Sequence, residues 1–146
     1  MYRILSANNN NLKVKVSDFN PFHTFLCGQC FRWNYDGARI WTGIALGRCI
    51  KLEWDGEICT FFEMNEREFV EKWVQYFDLN TNYGLIKREL AEKDEYLKEA
   101  VSFGYGIHLL QQDLWEVILS FIISQNNGIP RIKKIIETLS EHYGEK

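Results

Sequence analysis

The chain has 146 residues, of which 46% are hydrophobic and 25% charged, and this is the composition of an ordinary folded domain. It excludes collagen-like, low-complexity and disordered chains. The longest mostly apolar stretch, residues 117–123, is far shorter than the ~20 residues that cross a bilayer. The first residues, MYRILSANNNN, lack the order of a secretory signal. We therefore expect a cytoplasmic protein with no membrane segment.

The overall charge argues against binding of nucleic acid through bulk electrostatics. The net charge is −3 and the isoelectric point is near 5.6, whereas domains that bind in this way are usually strongly basic. The acidic side chains are concentrated in residues 63–99, which carry 10 of them against 6 basic ones. Any contact with DNA must therefore be local.

The first half of the chain has the pattern of β-strands. Residues 12–16 alternate strictly between apolar and polar side chains, which is typical of a half-buried strand. Further strand-like runs cover residues 25–33, 38–46, 48–54 and 58–62. Asp36-Gly37 and Asp55-Gly56, between these runs, are typical hairpin dipeptides. Connections this short predict an antiparallel meander with one packed face.

The second half has the spacing of helices. Asn65 and Glu68 have the spacing of a capping box and precede apolar residues at helical spacing up to Phe77. Two further helices are predicted, over residues 83–91 and from about Asp94 to just before Gly104.

Two strongly patterned helices are predicted at the end of the chain. Asp113 is a good cap for residues 114–125, which are so apolar that this helix should be largely buried. The sequence Asn126-Asn127-Gly128 ends that helix, and Pro130 suits the first turn of the next, which ends at Gly144.

These elements predict an α+β fold, in which an antiparallel β-meander domain is followed by the first helices of an α-helical domain. Residues 1–80 would form the sheet domain with a packed helix, and residues 81–146 the start of the helical domain. The apolar face of the last helix has no packing partner later in the sequence, and we therefore interpret the sequence as truncated.

The four cysteines, without a signal peptide, suggest reduced thiols. Cys27 and Cys30 form a CxxC pair, and we expect both to be packed cysteines of a strand. A redox pair and part of a zinc site are the alternatives. The three histidines are isolated, so no metal or cofactor is expected.

Large and charged side chains near this motif are expected to be structural. Arg32, between aromatic residues, would stack or pair to lock the sheet. The five tryptophans are expected in the core rather than as platforms for bases.

Two motifs, CGQCFRW at residues 27–33 and SQNNGIPRI at residues 124–132, resemble one family. With their spacing and LLQQDLWEVILSFI at residues 109–122, they are similar to the amino-terminal half of 8-oxoguanine DNA glycosylases, base-excision repair enzymes that are also lyases at abasic sites. The resemblance covers nearly all of the chain.

The resemblance implies roles for four residues. Such an enzyme flips the damaged base out of the duplex, and the backbone carbonyl at Gly28 would accept the N7 hydrogen that distinguishes the lesion from guanine. Asn126 and Arg131 would read the orphan cytosine, with Asn127 assisting. Taken alone, Gly28 permits a strand bulge, Asn126-Asn127-Gly128 stops a helix, and Arg131 is a solvated first-turn residue.

The same resemblance implies that the catalytic residues lie outside this chain. The family's nucleophilic lysine and helper aspartate belong to a helix-hairpin-helix region beyond the point matching Gly144, and Lys133 and Lys134 are poor substitutes. The chain alone should be inactive, and no catalytic residue is assigned to it.

The implied partner is double-stranded DNA with 8-oxoguanine paired with cytosine. We expect a monomer when full length, associated with the nucleoid if the source is bacterial. The alternatives are a non-enzymatic DNA-binding or interaction module of the same ancestry, and a thiol redox protein that uses Cys27 and Cys30.

Overall fold

A computed structural model describes residues 1–8 and 11–144. The strands are β1 (Tyr2–Asn8), β2 (Asn11–Val16), β3 (Trp33–Tyr35), β4 (Ile40–Ala45), β5 (Arg48–Trp54) and β6 (Ile58–Phe62). The helices are α1 (Pro21–Phe25), α2 (Glu66–Glu68), α3 (Val74–Tyr76), α4 (Tyr83–Ala91), α5 (Glu95–Phe103), α6 (Leu114–Ser124) and α7 (Ile129–Tyr143). A π-helical turn, Phe69–Trp73, joins α2 to α3.

The six strands form one antiparallel sheet in the order β1-β2-β6-β5-β4-β3. Strands β3 to β6 are a meander, as predicted, and the β1-β2 hairpin adds to it through β2, which pairs with β6. The predicted α+β class, with the sheet first and helices after it, is therefore confirmed.

The core lies between one face of this sheet and the helical stretch that runs from α2 to α3. Alternate residues of β2, β5 and β6, such as Leu12, Leu52 and Phe61, are fully buried, as period-2 patterning requires. Phe61 packs against Phe69 with ring centroids 5.0 Å apart. The cap predicted at Asn65 is present, since its Oδ1 accepts the N–H of Glu68 at 2.8 Å.

Two aromatic rings join the sheet to α1. Phe25 stacks on Trp33 with centroids 4.1 Å apart and ring planes 7° apart. Gly43 permits this packing, because a Cβ at that position would lie 2.4 Å from the Trp33 ring. Trp33, Trp41 and Trp73 are buried as predicted, whereas Trp115 is exposed.

The strand predicted over residues 25–33 is wrong. Asn20 accepts the N–H of Phe22 through its side chain at 2.9 Å, and Pro21 supplies the first helical residue, so a short helix forms here instead. An irregular segment follows it, and only Trp33 belongs to a strand. Strand β1 was not predicted.

The helices α4 to α7 follow the predicted spans closely, but the predicted burial of α6 is wrong. None of its residues is buried, and Leu114 and Phe121 are 72% and 67% exposed. Within residues 1–8 and 11–144, the structure has no helix long and apolar enough to cross a bilayer.

Candidate nucleic-acid interface

Gly28 lies in the irregular segment between α1 and β3. Its φ is +90°, a conformation that strains any residue with a side chain, and the space where a Cβ would lie is open. The residue is exposed, and no donor among the described residues reaches its carbonyl oxygen. The segment thus presents an exposed backbone acceptor with no partner inside the chain.

The cysteines on either side of Gly28 are both reduced, as expected, but they do not lie in a strand. The Cys27 thiol is exposed and donates to the Thr24 carbonyl at 3.4 Å, and the buried Cys30 thiol donates to the Phe25 carbonyl at 3.6 Å. Burial raises the pKa of Cys30 to about 12, so its thiolate is scarce at neutral pH. This argues against a reactive redox pair.

An ion pair and a lysine that donates hydrogen bonds connect this segment to the last two helices. Arg32 Nη1 lies 2.6 Å from Glu116 Oε1 on α6. Lys133 Nζ, on α7, donates to the Trp33 carbonyl at 2.7 Å and to Asn34 Oδ1 at 3.0 Å. Arg32 is structural as predicted, but its partner is a helix rather than the sheet.

The other predicted recognition residues lie in the turn between α6 and α7. Asn126 is exposed with φ +57°, and its side chain makes no hydrogen bond to the described residues. Asn127 caps α6, since its Nδ2 donates to the Ile123 carbonyl at 2.7 Å and to the Gln125 carbonyl at 3.3 Å. The turn is a helix stop, and it leaves Asn126 open to solvent.

Arg131 lies in the first turn of α7, with an exposed side chain that pairs with no carboxylate of the described residues. Gly128 precedes the helix without a side-chain cap, and its carbonyl accepts the N–H groups of Arg131 and Ile132, both at 3.0 Å. Residues 126–134 carry three basic side chains and no acidic one. Lys133 is bonded to Trp33 and Asn34, and Lys134 pairs with Glu137, so Arg131 is the basic side chain of this stretch with no partner among the described residues.

A cleft of about 420 Å³ separates the sheet from α6 and α7. Its walls include Cys30, Trp33, Tyr76, Ile123 and Ile136. None of the four predicted recognition residues lines it, so Gly28 and the α6-α7 turn lie outside this cleft.

Sequence reasoning missed the side chains that hold these elements in place. Gln29, Gln112 and Lys133 each bond across more than 70 positions of sequence, at separations of 79, 83 and 100 residues. No local pattern signals such contacts. In the part of the chain that the structure describes, no cluster of three His, Cys, Asp or Glu residues could hold a metal.

A family model for the 8-oxoguanine DNA glycosylase N-terminal domain matches residues 11–118. The chain belongs to the 8-oxoguanine DNA glycosylase family. The match includes strands β2 to β6, the Gly28 segment and the start of α6, and it confirms the family resemblance noted from the sequence.

Individual relatives agree with this assignment. The N-glycosylase/DNA lyase OGG1 of Arabidopsis thaliana is 25% identical over an alignment of 142 positions, and the match covers 92% of this chain and 39% of that protein. The 8-oxoguanine glycosylase/lyase of Clostridium acetobutylicum, solved with double-stranded DNA containing cytosine opposite 8-oxoguanine, is 43% identical with a TM-score of 0.92. That match covers 99% of this chain and 49% of the other.

A third relative is also known on DNA. The structure of MBOgg1 with a low-affinity DNA ligand gives 42% identity and a TM-score of 0.91, over 99% of this chain and 50% of that one. The chain thus spans about two fifths of the curated relative's length and half of each solved chain.

Proposed function

We propose that this chain is the substrate-reading part of a DNA repair enzyme that excises 8-oxoguanine opposite cytosine and cleaves the resulting abasic site by β-elimination. The observation that carries the proposal is the similarity, over nearly the whole chain, to the Clostridium acetobutylicum glycosylase/lyase in its complex with such a duplex. The exposed groups described above support it residue by residue.

Gly28 is proposed to recognise the lesion. Oxidation at C8 gives the base an N7–H donor where guanine has an N7 acceptor. The Gly28 carbonyl has no partner among the described residues and would accept this hydrogen, whereas it would repel the lone pair of guanine. A polar contact of this kind discriminates well because the wrong base leaves it unpaired.

Asn126 and Arg131 are proposed to read the orphan cytosine that flipping leaves behind. The amide oxygen of Asn126 can accept from cytosine N4, and the guanidinium of Arg131 can donate to N3 and O2. Both side chains are exposed, and no described residue bonds them. The amide nitrogen of Asn127 donates to the Ile123 carbonyl at the end of α6, so only its amide oxygen could assist in reading the cytosine.

The nucleophile is proposed to lie outside these residues. A lysine that displaces the base must have a free, activated amine. Lys133 is bonded to Trp33 and Asn34, and Lys134 pairs with Glu137 at 3.3 Å on an exposed face. We expect the chain alone to lack both glycosylase and lyase activity.

We also propose the division into a sheet domain, residues 1–80, and the start of a helical domain, residues 81–146. The exposed apolar side of α6, which includes Leu114 and Phe121, supports further helices packing there, as does the greater length of the relatives. A DNA substrate implies work in the cytoplasm, at the nucleoid in a bacterium, and we expect a monomer when full length.

Borohydride trapping tests the proposal. The full gene product, expressed to its own stop codon, would be incubated with a duplex that carries 8-oxoguanine opposite cytosine. Attack of the amine at C1′ releases the base and gives an imine, which borohydride reduces to a stable amine. A covalent adduct supports the proposal, and its absence with folded protein overturns the enzyme assignment in favour of a binding module.

A further inference from the structure

The side chain of Gln29, next to Gly28, uses both its amide hydrogens and its amide oxygen in hydrogen bonds. Its Nε2 donates to the carbonyls of Thr24 and His108, both at 2.8 Å. Its Oε1 accepts the N–H of Leu110 at 2.9 Å. The two donor hydrogens and the carbonyl of the amide are thus all used, and they join α1 to the stretch between α5 and α6.

The partners of Gln29 are themselves fixed. Thr24 and His108 are fully buried. The Thr24 hydroxyl donates to the Gly106 carbonyl at 2.9 Å and accepts the N–H of His108 at 3.2 Å. Bonds to buried, already paired groups hold a side chain more firmly than bonds to exposed ones.

The backbone of Gln29 is held from a second direction. Gln112 Nε2, just before α6, donates to the Gln29 carbonyl at 2.6 Å. Gln29 is therefore anchored at both its side chain and its carbonyl.

Gly28, in contrast, has no restraint of its own. It has no side chain, it is exposed, and no described donor reaches its carbonyl. That carbonyl belongs to the peptide unit that joins Gly28 to Gln29, so its direction depends on how Gln29 is held. On the other side, Cys27 offers only an exposed thiol and a 3.4 Å bond to the Thr24 carbonyl.

We propose that Gln29 is the positioning residue that orients the Gly28 carbonyl towards the damaged base. This inference rests on the proposed function and adds a residue to it. Without the Gln29 amide, the peptide unit between Gly28 and Gln29 is free to rotate, and the Gly28 carbonyl no longer points in one direction. The enzyme then excises 8-oxoguanine more slowly, while its fold and its affinity for DNA are retained.

The test uses the full gene product with Gln29→Met, which keeps the length of the side chain and removes its amide. Gln111→Met is the matched control, because Gln111 is exposed and its side chain makes no hydrogen bond to the described residues. Two quantities are measured: the single-turnover rate of 8-oxoguanine excision opposite cytosine, and the Kd for a duplex with a tetrahydrofuran abasic analogue, which offers no base to Gly28.

For Gln29→Met, the excision rate should fall roughly 10-fold with no change in the Kd for the abasic analogue, as expected for the loss of one aligned polar contact. Gln111→Met should leave both unchanged. A parallel loss of excision and analogue binding would show a merely structural role and overturn the inference, as would an unchanged rate.

Gln112→Met provides a second variant if Gln29→Met does not fold. It removes only the bond to the Gln29 carbonyl, so the excision rate should fall in the same direction by a smaller factor. A wild-type rate would overturn the inference. If the wild-type protein itself excises no 8-oxoguanine, the proposed function fails first, and the inference fails with it.

Discussion

The Arg32 guanidinium and the Glu116 carboxylate form a 2.6 Å ion pair that joins the segment after Gly28 to helix α6. The two side chains are 28% and 35% exposed, so water screens their attraction only in part. Lys133 makes a second link from α7 to the Trp33 carbonyl. The sheet and the last helices are thus connected close to both proposed recognition elements.

Breaking the Arg32–Glu116 pair should lower stability through a measurable coupling. A double-mutant cycle with Arg32→Met and Glu116→Gln in the full-length protein, followed by urea unfolding, should give a coupling of about 1 kcal/mol. The exposed Lys134–Glu137 pair is the control, and its coupling should be only about 0.3 kcal/mol. Equal couplings for the two pairs would contradict a bridging role for Arg32.

Gly28→Ala should impair lesion excision through the backbone. A side chain at φ +90° costs on the order of 1–2 kcal/mol, and the segment should relieve this strain by turning the carbonyl. Excision of 8-oxoguanine should therefore fall by roughly 10-fold or more, with binding of undamaged DNA retained.

Gly37→Ala is a matched control for that change. Gly37 has φ +83°, equally open surroundings and a place in the turn between β3 and β4. It should cost similar stability and leave the excision rate unaltered. Equal losses of activity in the two variants would mean that strain alone, and not the Gly28 carbonyl, explains the effect.

Arg131→Met should relax the preference for cytosine opposite the lesion. Loss of a bidentate contact to a base typically removes about 1–3 kcal/mol of discrimination, so the ratio of excision rates opposite cytosine and opposite adenine should fall at least several-fold. Lys134→Met removes a neighbouring charge and should weaken binding opposite every base alike. An unchanged ratio for Arg131→Met would contradict its proposed role.

His108 should make the protein acid-sensitive. The ring is fully buried, its Nδ1 donates to the Phe77 carbonyl at 2.9 Å, and its Nε2 has no partner among the described residues. Burial lowers the pKa of His108 below its unfolded value of about 6.5. The stability contributed by the neutral ring is therefore complete above about pH 6.5 and is lost as the pH falls from there towards the folded-state pKa.

Urea unfolding of the full-length protein between about pH 7.5 and 5 tests this, within the range where histidine titrates. The loss of stability on acidification should be smaller in His108→Gln than in the wild type. His142→Gln, which changes an exposed ring, should retain the wild-type pH dependence. Identical slopes in the His108 variant and the wild type would contradict the assignment.

Elements governed by local chemistry were predictable from the sequence. The alternation in β2 and the Asp-Gly turns gave the sheet, and side-chain caps at Asn65 and Asp113 marked the helix starts. The segment at residues 25–33 was misread because its apolar content outweighed the helix signal of Asn20 and Pro21 just before it.

The exposure of α6 was not predictable, because an apolar pattern shows that a helix needs a packing partner but not where in the chain that partner lies. Leu114 and Phe121 are apolar at the spacing of a core helix, yet both are exposed in these 146 residues. The anchoring of the Gly28 segment was also hidden, since Gln29 bonds to groups 79 and 81 positions away. Such contacts arise from tertiary structure alone.

Mapping the borohydride-trapped residue tests the central claim most directly. The full gene product would be trapped on a duplex with 8-oxoguanine opposite cytosine, digested, and the modified peptide identified by mass spectrometry. The account predicts an adduct on a lysine beyond residue 146, with residues 1–146 unmodified. An adduct on Lys133 or Lys134 would contradict it, because these residues would then carry the chemistry themselves.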